Sequence, residues 1–149
     1  MLYRVAILLC CILIFGCGSP KPYDIRAVVM LDGKPFVEAE VLLVSGKENP
    51  KSAFGLTDAE GKVAFRTEEA DGVFPGTYTV IVSKTTEEKR LSNNEIRALA
   101  EKGIRYEANI IEWAPEKYTR RETSDLKIKA GYWSAKDLIF DLHSDKPSL

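Results

Sequence analysis

The sequence predicts an all-β sandwich of about seven strands interrupted by one short helix. Three observations carry that prediction. Apolar and polar residues alternate over several short runs. Clusters of Asp, Gly and Pro separate those runs at short intervals. A single segment, 91–103, carries both a helix-start and a helix-stop signature. A chain of 149 residues, 45% hydrophobic and 29% charged, suits one globular domain. That composition excludes wholesale disorder, collagen, coiled coil and a multi-span membrane protein.

Residues 24–30 open the series, with Ile25, Ala27 and Val29 on one face. Asp32-Gly33 then breaks the run, and Asp-Gly between apolar runs is a strong hairpin signal. A strand is expected over 36–44, its Val41-Leu42-Leu43-Val44 reading as buried. Residues 46–51 read as a polar loop. Strands over 53–57 and 62–67 flank the turn Asp58-Ala59-Glu60-Gly61, with Gly where positive φ is needed. After a turn cluster at 71–76, residues 77–83 alternate most regularly, with Tyr78, Val80 and Val82 inward.

The helix begins at Ser92, which can cap, with Glu95 closing the capping box and Leu91 and Ile96 forming a hydrophobic staple. Gly103 stops it. It is expected over 92–102, packed on an edge or end of the sandwich. A strand follows over 106–113, then a loop with one helical turn at Pro115-Glu116-Lys117. Residues 126–130 and 138–142 read as a closing hairpin, with Leu138, Phe140 and Leu142 inward.

The three cysteines, Cys10, Cys11 and Cys17, all fall in the first 17 residues. Arg4 and an apolar run over 5–15 precede Gly16-Cys17, the pattern of a secretory signal peptide. The run is too short for a membrane-spanning helix of about 20 residues. Ile14-Phe15-Gly16-Cys17 resembles the lipobox of bacterial lipoproteins, with Phe15 where a small or β-branched residue is usual. The resemblance implies cleavage before Cys17 and acylation of its thiol and new amino group. The alternatives are an ordinary signal peptide with an incidental Cys, or an uncleaved anchor. Each buried CH₂ of an acyl chain contributes about 0.8 kcal/mol to anchoring. Gly18 and Ser19 follow the Cys with no Asp, which in that family favours the outer membrane. The expected plan is signal peptide 1–16, lipidated Cys17 and tether over 17–22, and a β-sandwich domain over 23–145. Loss of Arg4 with the leader takes the formal charge from −1 to −2. The mature chain keeps a single cysteine, so it can form no internal disulfide.

Three turn strings carry a family resemblance. They are Val29-Met30-Leu31-Asp32-Gly33-Lys34-Pro35, Thr57-Asp58-Ala59-Glu60-Gly61-Lys62-Val63 and Phe74-Pro75-Gly76-Thr77-Tyr78-Thr79-Val80. In this order they resemble the carboxypeptidase regulatory-like domain, a transthyretin-like (prealbumin-like) Greek-key β-sandwich. Pro115-Glu116-Lys117-Tyr118, Thr123-Ser124-Asp125-Leu126 and Phe140-Asp141-Leu142 resemble the tail of small bacterial lipoproteins with that domain. The resemblance spans roughly 23–142. It implies a non-catalytic binding or accessory module. The matching residues agree with that: Gly serves positive φ, Asp local turn bonds, Pro fixed φ, and the aromatics the core.

Candidate chemistry is sparse. The 21 basic and 22 acidic residues nearly cancel, so there is no basic field for nucleic acid. No metal site or other cofactor is expected: Asp58, Glu60 and Asp71 lack calcium-loop spacing, and Asp58 to Gly61 is explained as a turn. His143 is the sole histidine and reads as solvated. Serine-type hydrolysis needs a histidine base, and nothing near His143 suggests one. Transthyretin-like hydrolases use several His and Arg residues and a particular C-terminal tetrapeptide. One His and the ending Lys146-Pro147-Ser148-Leu149 do not fit them. Intradiol dioxygenases need two His and two Tyr for iron. Paired carboxylates working as a hydrolase remain open, although no spacing singles out a pair.

Aromatics form the remaining candidate. Trp113, Tyr118, Tyr132 and Trp133 all lie in the last third of the chain. Trp113 and Tyr118 are read as core. Tyr132 and Trp133, on the turn after Gly131, could stack on sugar rings or anchor a partner. The expected function is a non-enzymatic, membrane-anchored envelope lipoprotein, held by membrane lipid through Cys17 and displayed in the periplasm or at the cell surface. Its expected partners are envelope proteins or glycans. The alternative is a carbohydrate-binding module using Tyr132 and Trp133.

Overall fold

The computed structural model describes residues 20–46, 51–89, 91–132 and 137–144. The expected signal peptide over 1–16, Cys17 and Trp133 lie outside the described residues. The strands are β1 (Arg26–Leu31), β2 (Lys34–Pro35), β3 (Glu40–Ser45), β4 (Ala53–Leu56), β5 (Lys62–Ala64), β6 (Gly76–Ser83), β7 (Thr85–Glu87), β8 (Ile110–Glu112), β9 (Lys127–Ala130) and β10 (Asp137–Leu142). Among the described residues there is one α-helix, α1 (Asn93–Glu101), between β7 and β8, and a 3-10 turn over Glu116–Tyr118. The described residues are therefore all-β with one short helix.

Two sheets share one core. In the first, β10 and β1 run parallel, while β2 and β5 pair antiparallel along the other edge of β1. The second is antiparallel throughout, in the order β4-β3-β6-β9. Ile25, Ala27, Val29, Phe140 and Leu142 from the first sheet meet Val41, Leu43, Tyr78, Val80 and Val82 from the second. These are the inward positions of period-two strands. Burying them is the main stabilising term, at about 1.5–3 kcal/mol for each large apolar side chain.

The turn chemistry is as the sequence expects. Asp32 and Gly33, both at positive φ, close the β1–β2 hairpin as a two-residue turn. Asp58 Oδ1 accepts from the N–H groups of Glu60 and Lys62 at 3.0 and 2.8 Å. Gly61 has φ +74°, and a Cβ there would lie 2.6 Å from the Val29 carbonyl oxygen. Two buried polar groups tie the core's rim. Thr57 Oγ1 donates to the Phe36 carbonyl at 2.6 Å and accepts from the Ala39 N–H at 2.7 Å. Ser124 Oγ donates to the Val80 carbonyl at 2.6 Å.

The structure corrects four expectations. β9 and β10 do not form a closing hairpin: β9 pairs with β6 and β10 with β1, so the connection crosses from one sheet to the other. Both sheets had an edge to complete, and hydrogen bonding to β6 and β1 satisfies each strand separately. The strand expected over 36–44 begins only at Glu40, because Glu38 adopts φ 54° and the segment turns a corner held by Thr57. Its Val41-to-Val44 stretch is not buried on both faces. Val41 and Leu43 are fully inside, whereas Leu42 points out and is 38% exposed. Finally, α1 buries no residue and does not pack into the sandwich.

The helix nonetheless starts and stops where its signatures lie. Glu95 reaches back to the Ser92 N–H at 2.8 Å, and Ser92 Oγ accepts from the Glu95 N–H at 3.4 Å. At the other end Gly103 takes φ 71°, and Ile104 and Gly103 donate to the carbonyls of Leu99 and Ala100. That double bond pattern is the Schellman motif.

Candidate functional site

The two ends of the sandwich hold different candidates. The chain enters the first sheet at Tyr23, whose N–H and C=O exchange bonds with Val73 at 2.8 and 2.9 Å. Ala130 pairs with Gly76 at the same end, and Tyr132 follows it two residues later. Tyr132 is 77% exposed, as a stacking residue must be. Its neighbour Trp133 lies outside the described residues.

Trp113 sits at the opposite end, beyond Ser83, which pairs with Glu40. It is 56% exposed, not core, which overturns the sequence expectation. Tyr118 is buried as expected, and its hydroxyl lies 3.4 Å from the His143 N–H. Trp113 is held out by its own short ribbon. β7 and β8 pair antiparallel, and the Trp113 N–H donates to the Lys84 carbonyl at 2.9 Å. The indole Nε1–H donates to Thr86 Oγ1 at 2.7 Å. Glu112 Oε1 accepts from the backbone N–H groups of Lys84 and Ala114, both at 2.8 Å. Trp113 and Thr86 then wall a cleft of about 280 Å³ with Leu31, Phe36 and Lys84. Lys84 Nζ donates to the Val37 carbonyl at 2.7 Å and lies 5.9 Å from the Phe36 ring. This cleft can take an apolar group on one wall and a hydrogen-bond acceptor near Lys84.

A third feature lies on the outer face of the second sheet. Phe54, Leu42 and Ile81 stand directly opposite one another across β4, β3 and β6. Leu56 continues the apolar surface at 62% exposure. A shallow groove of about 510 Å³ runs over this face, walled by Leu42, Phe54, Leu56 and Ala64. The continuous apolar string at 41–44 was the available signal. An antiparallel strand needs only one apolar face, so a second one asks for cover.

The remaining candidates separate in space. Asp58 lies on the turn against Lys62, while Asp71 bridges to Arg66 at the Tyr23 end. Among the described residues no group of three or more His, Cys, Asp or Glu could hold a metal ion. His143 Nε2 lies 3.9 Å from Asp141 Oδ2, with both side chains largely exposed. Three exposed carboxyls sit below their ordinary range, each for a local reason. Hydrogen bonds from Ser144 lower Asp32, those from Ser92 lower Glu95, and the Lys117 ammonium lowers Asp125. All three act at a turn, a helix cap or a surface ion pair. No family model, curated protein or solved structure matches the chain.

Proposed function

We propose that the chain is a non-enzymatic, membrane-anchored lipoprotein that presents a transthyretin-like β-sandwich of the carboxypeptidase regulatory-like kind in the cell envelope, as a binding or structural module. The observation that carries this reading is where the chain enters the sandwich. Tyr23 is already clamped to Val73, six residues after Cys17. Six extended residues reach about 20 Å at most. An acyl group on Cys17 would hold the Tyr23 end close to a bilayer surface and turn the Trp113 end outward.

Strand order supports the fold part of the reading. β3, β4 and the segment after β5 follow one another antiparallel, through the Phe54–Arg66 bridge, and β1 lies beside β5. A strand lying beside the far end of three consecutive antiparallel strands, as β1 does here, supports the Greek-key reading of the connections. The three turn strings that carry the resemblance serve turn geometry and core packing here, which fits a scaffold.

Metabolic labelling with a radioactive fatty acid tests the anchor. Label on the wild-type chain and none on Cys17→Ala is the expected result. Label that survives Cys17→Ala, or an unlabelled wild type, overturns it. A second reading, a carbohydrate-binding module, draws on the exposure of Tyr132. It requires glycan-array binding that falls in Tyr132→Ala and Trp133→Ala.

A further inference from the structure

The outer apolar face of the second sheet has a rim of a particular kind. Its polar neighbours on the β6 and β9 side are Thr77, Thr79, Lys127 and Lys129, the outward positions of those strands. Within the face itself stand two opposite charges. Glu40 lies on β3, directly across from Leu56. Arg66 lies beyond β4, directly across from Phe54, with its guanidinium 5.0 Å from the Phe54 ring centroid. Neither Glu40 nor Arg66 is in an ion pair among the described residues. Both border the groove over Leu42 and Leu56.

We infer that this face is an interface between two copies of this chain, related by a two-fold axis. The placement of the charges argues for a copy of the chain over any other occupant. Glu40 and Arg66 are two strand spacings and one two-residue step apart, about 12 Å on the diagonal. The midpoint of that diagonal falls on β4 between Phe54 and Leu56. A two-fold axis through that point carries Glu40 onto Arg66 of the second copy, and Arg66 onto its Glu40. Phe54, Leu56 and Leu42 then meet their own counterparts at the centre. The result is an apolar core flanked by two symmetric ion pairs, the usual anatomy of a specific interface. The axis runs within about 35° of the strand direction. Both chains therefore keep their Tyr23 ends on the same side, so a shared bilayer would accept the pair. The dimer itself does not depend on the anchor.

Sedimentation velocity on the full chain in mild detergent tests it, with circular dichroism to confirm that each variant folds. The wild type is expected to sediment as a dimer. Glu40→Arg and Arg66→Glu each place like charges against each other twice, and each weakens the dimer by about 100-fold or more. The double variant, Glu40→Arg with Arg66→Glu, restores it. Phe54→Ser also yields monomer, and Leu56→Cys, in a chain whose Cys10, Cys11 and Cys17 are replaced by Ser, gives an oxidant-dependent covalent dimer that the same chain without Leu56→Cys lacks. A wild type that stays monomeric at tens of micromolar overturns the proposal. So does a dimer indifferent to the single charge reversals, or a double variant that fails to recover. A monomer that instead binds a different envelope protein through Phe54 overturns it equally.

Discussion

The sandwich and the excursion between Lys84 and Trp113 are built on opposite terms. In the sandwich, position is set by burial: Val41, Leu43, Val80, Val82 and Leu142 are wholly inside. In the excursion no residue of α1 is buried, yet the helix has a complete capping box and a complete Schellman motif. An isolated helix this short is marginal in water. Local hydrogen bonds therefore decide where α1 begins and ends, while the ribbon of β7 and β8 decides where it is carried. The lesson is that strong local signatures and strong tertiary anchoring are separable. A segment can be written plainly in sequence and still contribute little to global stability.

The contrast predicts a graded series of effects. Leu43→Ala, at the centre of the core, should cost about 2–5 kcal/mol in urea unfolding of the full chain. A cost below 1 kcal/mol would mean that the two sheets do not share a core. Thr57→Val removes the partner of a buried N–H and a buried carbonyl together. It should cost about 2 kcal/mol by the same measurement, and an unchanged midpoint would show the corner at 36–39 to be held some other way. Ser92→Ala should cost about 1 kcal/mol, but only locally. Amide exchange should accelerate over 93–101 while the sandwich's unfolding midpoint stays fixed. A shift in that midpoint would break the separation between the two regions.

The smallest effect concerns pH. The Ser92 hydrogen bonds hold the Glu95 carboxyl below its ordinary value of 4.5. A depressed carboxyl stabilises the folded helix above that ordinary value and loses the contribution as pH falls below it. Amide protection in α1 should therefore decline on acidification through the glutamate range, ahead of the β strands. Equal decline in both regions would join what the structure separates.

Legibility followed the same division. Ile25, Ala27 and Val29, the Asp32-Gly33 turn and the helix ends were all readable, because period and turn chemistry are local. Leu42 and Trp113 read as interior from the sequence and are exposed, since apolar character alone does not say which face is covered. The fate of β9 and β10 was not readable either. Adjacent strands usually pair, and only the unfilled edges of β6 and β1 draw these two apart. Tyr132, on the turn after Gly131, is exposed, and its placement at the end opposite Trp113 follows from topology, not from sequence spacing.

The parallel pairing of β1 with β10 has a consequence in time. It joins residues 111 positions apart, 26 with 137. Closing a loop that long carries an entropic cost before any contact rewards it, and such topologies fold slowly. The core wall formed by Val29 and Phe140 cannot exist until the last strand arrives. A chain still emerging from a ribosome would hold β1 unpaired on that side throughout. That leaves β1 with one open edge, able to pair with any other unpaired strand, for as long as the molecule is being made.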